Sequence, residues 1–235
     1  MTTIVTGHQP EFLPWAGYFN KIIQSDVFII VDDVQYKKRT FENRNKIRSN
    51  NDKGHVFITI PVEKCGSFPR INEVYAVDNN WRDIMLKSLY LSYSKSPYFD
   101  EVEALIKECL YSSDKLVTIN VCLIKKILKY LAIKRKVLIQ SELNISAKNG
   151  TELIVNLARY DCCNNIYLSG PHGRDYLDFD HLERVNQKIV FSDFIHPEYN
   201  QMHYGFISHM SIVDLLFNYG KKSVEFISNV NYVNQ

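Results

Sequence analysis

The sequence lacks most of the features that mark specialised protein classes. Its 235 residues contain no apolar run near the roughly 18 residues that suggest a membrane span. The opening, Met1-Thr-Thr-Ile-Val-Thr-Gly-His-Gln-Pro, has no basic region followed by a long apolar stretch, which argues against a signal peptide. Cysteine is scarce: five residues, none in a CxxC, with Cys162 and Cys163 adjacent. That odd count without paired spacing argues against a disulfide framework and for a reducing, cytoplasmic setting. Neither Cys nor His shows ligand spacing, so no structural zinc is expected and no metal-binding residue is assigned. Charge of one sign is not in excess: Lys and Arg total 28 against 26 Asp and Glu, a net +2. There is thus no general electrostatic case for DNA or for a membrane surface. No repeat, low-complexity block or Gly/Ser/Pro linker divides the chain, which reads as one domain over residues 1–235.

What is present is globular: 46% hydrophobic and 23% charged residues. Aromatic residues make up 13%, with Tyr 15 and Phe 13, and Tyr suits a cleft that is partly buried and partly wet. Thr3 to Thr6 is a β-branched run that predicts a strand ending at Gly7-His8-Gln9-Pro10. Pro14 suits a helix first turn ahead of Tyr18 to Ile23. Val27 to Val31 is continuously apolar, as in a strand buried on both faces, and ends in Asp32-Asp33. Two more strands are expected at Val56 to Pro61 and Ile71 to Val77. Helices follow at Trp81 to Ser94, Tyr98 to Tyr111 and Lys115 to Leu131, the last with an apolar stripe at Leu116, Ile119, Leu123, Ile127 and Leu131. The remainder alternates: strand Val137 to Ile139, helix Thr151 to Tyr160, strand Asn165 to Leu168, helix Tyr176 to Arg184, strand Lys188 to Phe191, and helix Ser211 to Tyr219 stopped by Gly220. Alternation at both ends predicts an α/β fold with a mostly parallel central sheet and a helical insertion or cap near residues 81–131.

In such sheets ligands bind beyond the carboxyl ends of the strands. Three strands end in polar segments: His8-Gln9, Asp32-Asp33 and Ser169-Gly170. His8 reads as a general base or as a buried structural histidine. One of Asp32 and Asp33 is expected to face the cleft, since neighbouring strand residues point to opposite sides; capping a turn is the competing role. The basic stretch from Lys37 to Arg48, with Lys38, Arg44, Asn43 and Asn45, is a phosphate-binding candidate or a solvated strand. Ser169-Gly170-Pro171-His172-Gly173 offers backbone amides to an anion, or is an ordinary strand-to-helix turn. Trp15 and Tyr18 complete the substrate-binding candidates. No nucleophile signature is present, and of the cysteines only Cys65, in a Gly-containing turn, merits a test.

Taken together, several segments resemble the WbqC-like proteins. The opening Gly7-His-Gln-Pro-Glu-Phe-Leu-Pro-Trp-Ala-Gly-Tyr-Phe-Asn-Lys21 carries the resemblance most specifically. The Asp26 to Gln35 strand, Asn43-Arg44-Asn45-Lys46-Ile47, Trp81-Arg82 and Ser96-Pro97-Tyr98-Phe99 also match. So do Tyr167-Leu168-Ser169-Gly170, Pro197-Glu198-Tyr199-Asn200-Gln201 and Ser211 to Gly220. The resemblance implies a place in bacterial O-antigen or related surface-polysaccharide biosynthesis, including lipopolysaccharide. It implies a cytoplasmic transferase that adds glycine or another acyl group to an amino sugar. The sugar would be nucleotide-linked or lipid-linked, and the donor an acyl carrier or an aminoacyl species. His8, Gln9, Asp32, Asn43, Asn45, Ser169 and Gly170 are the matching site candidates. The strand, His-containing loop and Pro-x-x-Gly helix also look like the start of HxGH-type nucleotidylyltransferases. There His8 and the Ser169 loop would bind ATP with Mg²⁺, but here Gly17 is followed by Tyr18 and the second His is absent. A third reading is a non-catalytic sugar-binding or scaffold protein.

Overall fold

The computed structural model describes residues 3–64, 66–228 and 232–233; Cys65 lies outside them. In chain order the elements are β1 (Ile4–His8), α1 (Ala16–Ile23), β2 (Val27–Ile30), β3 (Arg44–Arg48) and β4 (His55–Thr59), then α2 (Trp81–Tyr93), α3 (Phe99–Leu110) and α4 (Leu116–Tyr130). There follow β5 (Lys136–Ile139), α5 (Gly150–Ala158), β6 (Ile166–Ser169), α6 (Phe179–Arg184), β7 (Ile189–Ser192), α7 (Ile212–Tyr219), α8 (Ser223–Ile227) and β8 (Tyr232–Val233).

The main sheet runs β5-β2-β1-β6-β7-β8. Its first five strands are parallel and β8 is antiparallel to β7. This is the expected α/β fold. β2 shows why its sequence is apolar throughout: Phe28 and Ile30 pack into one core, while Val27, Ile29 and Val31 pack into the other. The larger core lies under α1, α2 to α4 and α7; the smaller lies under α5 and α6. In α4 the stripe Leu116, Ile119, Leu123 and Ile127 is fully buried. Burial of each such side chain stabilises by about 1.5–3 kcal/mol. Gly220 ends α7 at φ +54°, and a Cβ there would lie 2.5 Å from the Tyr98 ring.

Two expectations are corrected. Ile71 to Val77 is no strand. Glu73 accepts the backbone N–H of Arg70 at 2.8 Å, which pinches Ile71–Glu73 into a 3₁₀ turn. Only isolated bridges remain on Tyr75 and Ala76. The helix expected from Tyr176 begins at Phe179, because Asp178 caps it by accepting the His181 N–H at 2.9 Å. The basic stretch holds an unforeseen strand as well: β3 pairs antiparallel with β4, outside the main sheet.

Buried polar side chains tie these parts together. Asn120 of α4, fully buried, donates to the carbonyls of Pro10 and Glu42, both at 2.7 Å. Buried Arg48 donates through its guanidinium to the carbonyls of Gly54, His203, Tyr204 and Gly205. Its backbone N–H donates to the Tyr93 hydroxyl, and the Tyr93 and Tyr199 hydroxyls donate to opposite oxygens of Asp214. This network pins the long irregular segment between β7 and α7. Asn120→Ala removes the donor that two buried carbonyls share, and we expect it to cost about 2–4 kcal/mol. Urea denaturation that shows no loss would contradict this.

Candidate functional site

Strand order reverses between β1, which leads to β2 on one side, and β6 on the other. Ligands bind at such switch points, outside the carboxyl ends of the strands. A cavity of about 930 Å³ opens there. Gly7 and His8 of β1 form part of its wall, Ser169 of β6 another, and Gly17, Tyr18 and Lys21 present one face of α1 to it. Phe194 and His209, from the segment pinned by Arg48, line the far side.

The loop from Gln9 to Trp15 is held from several directions. Leu13 adopts φ +44°, a conformation that a branched side chain takes only when its surroundings impose it. Asn45 donates to the carbonyls of Phe12 (3.2 Å) and Leu13 (2.8 Å), and the Ser211 hydroxyl donates to that of Leu13 at 2.7 Å. Trp15 stacks on His209 with ring centroids 4.8 Å apart.

His8, Glu11 and Lys21 form the polar centre. The His8 ring faces the cavity with 37% of its side chain exposed, yet lies deep within the protein. Burial, and then the Lys21 charge, push its pKa down to about 3, so the imidazole is neutral. Its Nδ1 lies 3.3 Å from the Gln9 carbonyl. A carbonyl only accepts, so Nδ1 carries the proton and Nε2 is the lone-pair nitrogen. The Tyr18 hydroxyl donates to the same carbonyl at 3.0 Å. Glu11 Oε1 is 3.9 Å from His8 Nδ1. Burial, and then repulsion from Glu42, raise the Glu11 carboxyl to about 7. Its Oε2 is buried without a hydrogen-bond partner. Lys21 donates to the Gly7 carbonyl at 3.0 Å, and burial lowers its pKa to about 8. Three strongly perturbed groups in one cavity mark a functional-site candidate.

Of the residues singled out in the sequence, His8, Gln9, Trp15, Tyr18 and Asn45 line this cavity. So do Ser169, Gly170, His172 and Gly173 of the strand-to-turn segment. Asp32 and Asp33 do not. Asp32 is buried and accepts the backbone N–H (3.0 Å) and hydroxyl (2.7 Å) of Ser141. Asp33 is engaged by Arg70 and by Asn72. Both carboxylates hold the segments next to β2 rather than facing the cleft. Asn43 is turned inward, donating to the Ile60 carbonyl at 2.9 Å. Arg44 lies over the Phe57 ring, and Lys38 borders a separate shallow pocket. From the basic stretch it is Lys37, Phe41, Asn45 and Lys46 that reach the cavity. Sequence reasoning passed over Glu11 and Lys21. Their signal was spacing: Glu11 stands three residues after His8, and Lys21 one helical turn after Tyr18.

Two measurements follow. Asp32→Ala removes two hydrogen bonds to a carboxylate and is expected to cost about 1.5–3 kcal/mol, read in a denaturant melt. Glu11 in the folded chain keeps its proton up to about pH 7, whereas an ordinary carboxyl releases it near 4.5. Between those values the folded state binds more protons, so this group's contribution to stability falls as pH rises. The unmodified protein should therefore lose up to about 3 kcal/mol relative to Glu11→Gln between pH 4.5 and 7. Parallel stability curves for the two proteins would contradict it.

Among the described residues no helix is long and apolar enough to cross a membrane. The model of the WbqC-like protein family matches residues 9–226. An uncharacterized protein of Mycobacterium tuberculosis, Rv1507c, is 31% identical over 224 residues, covering 93% of this chain and 95% of its own length. The match spans the loop after β1, α1, both cores and the pinned segment before α7. The chain belongs to the WbqC-like protein family.

Proposed function

We propose that the cavity is the active site of a transferase that acylates the amine of a sugar held through the phosphates of its carrier, a nucleotide or a lipid. The observation behind this reading is the Glu11 carboxyl, tuned to about 7, with a buried unpartnered oxygen beside a neutral His8. A sugar amine is mostly protonated at neutral pH and must lose a proton before it attacks. A base works best when its pKa lies near the operating pH. His8 at about 3 is a poor match for the base role that its sequence position suggested; Glu11 is the matched group. In this reading His8 Nε2 accepts a hydrogen bond from the amine and orients it. The ammonium loses its first proton to solvent on entering; the amine nitrogen then bonds to the acyl carbon, Glu11 takes the second proton from that nitrogen, and the bond to the leaving group breaks. Glu11 then returns its proton to that group. The Gly170 to Gly173 turn lines the same cavity; Pro171 has no N–H and the Gly173 N–H donates to the Gly170 carbonyl, so in this reading the Gly170 or His172 amide supports the tetrahedral oxyanion. Lys37 and Lys46 supply positive charge for the carrier phosphates. The acyl donor is a thioester, an aminoacyl ester or an adenylate.

The strand order at the switch point also favours a nucleotide in the cavity, which is the one observation behind the ATP-dependent alternative. The residues present fit that alternative poorly. Tyr18 stands where the second histidine of an HxGH motif would be, donating its hydroxyl to a backbone carbonyl. The carboxylates after β2, which would suit Mg²⁺, are engaged by Ser141, Arg70 and Asn72.

The test is to incubate the protein with nucleotide-linked amino sugars and each class of donor, and to look for the amide by mass spectrometry. Glu11→Gln should lower kcat/KM by roughly 10²- to 10⁴-fold while the protein stays folded. Activity of the unmodified protein should rise with pH through about 7 as the carboxylate forms. Ligand binding with no amide from any donor would favour a non-catalytic sugar-binding role. Full activity in Glu11→Gln would remove the base assignment.

A further inference from the structure

Away from the cavity, α3 and α4 are antiparallel neighbours that meet through two cysteines. Cys109, fully buried at the end of α3, and Cys122, half-buried on α4, have their Sγ atoms 2.6 Å apart. The flanking residues set the same register. Glu108, next to Cys109, pairs with Lys126, one turn beyond Cys122, at 2.7 Å. We propose that Cys109 and Cys122 form a modification site, where oxidation by a small-molecule disulfide covalently staples α3 to α4.

The chemistry needs no further protein group. The thiolate of Cys122, the more accessible of the two, attacks one sulfur of the oxidant, forming a mixed disulfide and releasing one small thiol. Cys109 then gives up its proton and attacks Cys122 Sγ, and the second small thiol leaves. Two protein thiols and one small disulfide become one protein disulfide and two small thiols. Burial raises the Cys109 thiol well above its ordinary range, so Cys109 suits the second, intramolecular step better than the first. The absence of a disulfide framework in the sequence does not bear on this, because a single helix-to-helix pair is not a framework.

The staple has a structural consequence. Asn120 stands two residues before Cys122, about 200° around the helix. Its side chain is the one that holds the Pro10 and Glu42 carbonyls. α4 therefore faces α3 with one side and buttresses the loop carrying Gln9 and Glu11 with the other. Oxidation would fix the helix on which that loop rests.

The experiment uses the full chain with Cys65, Cys162 and Cys163 each replaced by Ser. The reduced protein is incubated with glutathione disulfide, alkylated after denaturation, and mapped by mass spectrometry. The expected result is a peptide cross-linked through Cys109 and Cys122, released by dithiothreitol, with Tm raised by roughly 5–10 °C. Adding Cys122→Ser should remove both effects. Both cysteines remaining alkylatable, or Cys122 ending as a stable glutathione adduct that Cys109 never displaces, would overturn the proposal. The peptide map decides the matter even if Cys122→Ser fails to fold.

Discussion

β1 is hydrogen-bonded in parallel on both sides, to β2 through Val5 to His8 and to β6 through Ile4 and Val5. Every feature of the cavity depends on that arrangement. Parallel pairing puts the carboxyl ends of β1 and β6 on one edge of the sheet, so His8 and Ser169 arrive together although they are distant in sequence. Because the chain leaves β1 for β2 on one side and reaches β6 only after crossing back, no connection fills the space between the two ends. Gly7 keeps that space narrow: a Cβ there would meet Leu157 of α5 at 2.8 Å.

An open crevice at a strand end is lined by groups that water no longer serves fully. Burying a charge is costly unless it is paired or the group changes its protonation state. Glu11, His8 and Lys21 respond in the second way, each shifting toward its neutral form. The surrounding amides respond in the first way. Asn45 and Asn120 satisfy the carbonyls of the loop between β1 and α1, so the loop holds its shape without repeating structure of its own. The same economy explains Asp214, which is desolvated enough for its pKa to rise yet is held between two tyrosine hydroxyls. That network fixes the segment that brings Phe194 and His209 to the cavity.

The fold was largely legible because its strands and helices announce themselves by burial. The apolar run through Val27 to Val31 and the α4 stripe have no other sensible home than a core. Ile71 to Val77 misled because apolar content alone does not distinguish a strand from a turn pinned by one Glu73 hydrogen bond. β3 was hidden for the converse reason: its alternating Asn45 and Ile47 face inward, but the charged residues between them dominate the sequence. The site was half legible. Strand ends identified His8 and the Ser169 turn, and the same logic misplaced Asp32 and Asp33, whose partners Ser141, Arg70 and Asn72 are brought near only by folding. Glu11 escaped notice because a single carboxylate in a loop has no periodic signature; its importance comes from one carboxyl oxygen, Oε2, that is buried without a hydrogen-bond partner.

The proposed chemistry divides the labour between Glu11 and His8, and side-chain protonation can be read directly. A pH titration of the unmodified protein by NMR, following the Glu11 carboxyl carbon and the His8 ring nitrogens, tests it without any assumption about substrate. The expected result is a Glu11 midpoint near 7 and a His8 ring that stays neutral, protonated on Nδ1, down to about pH 3. A His8 midpoint near 6.5 with Glu11 titrating near 4.5, the ordinary values for each group, would contradict it.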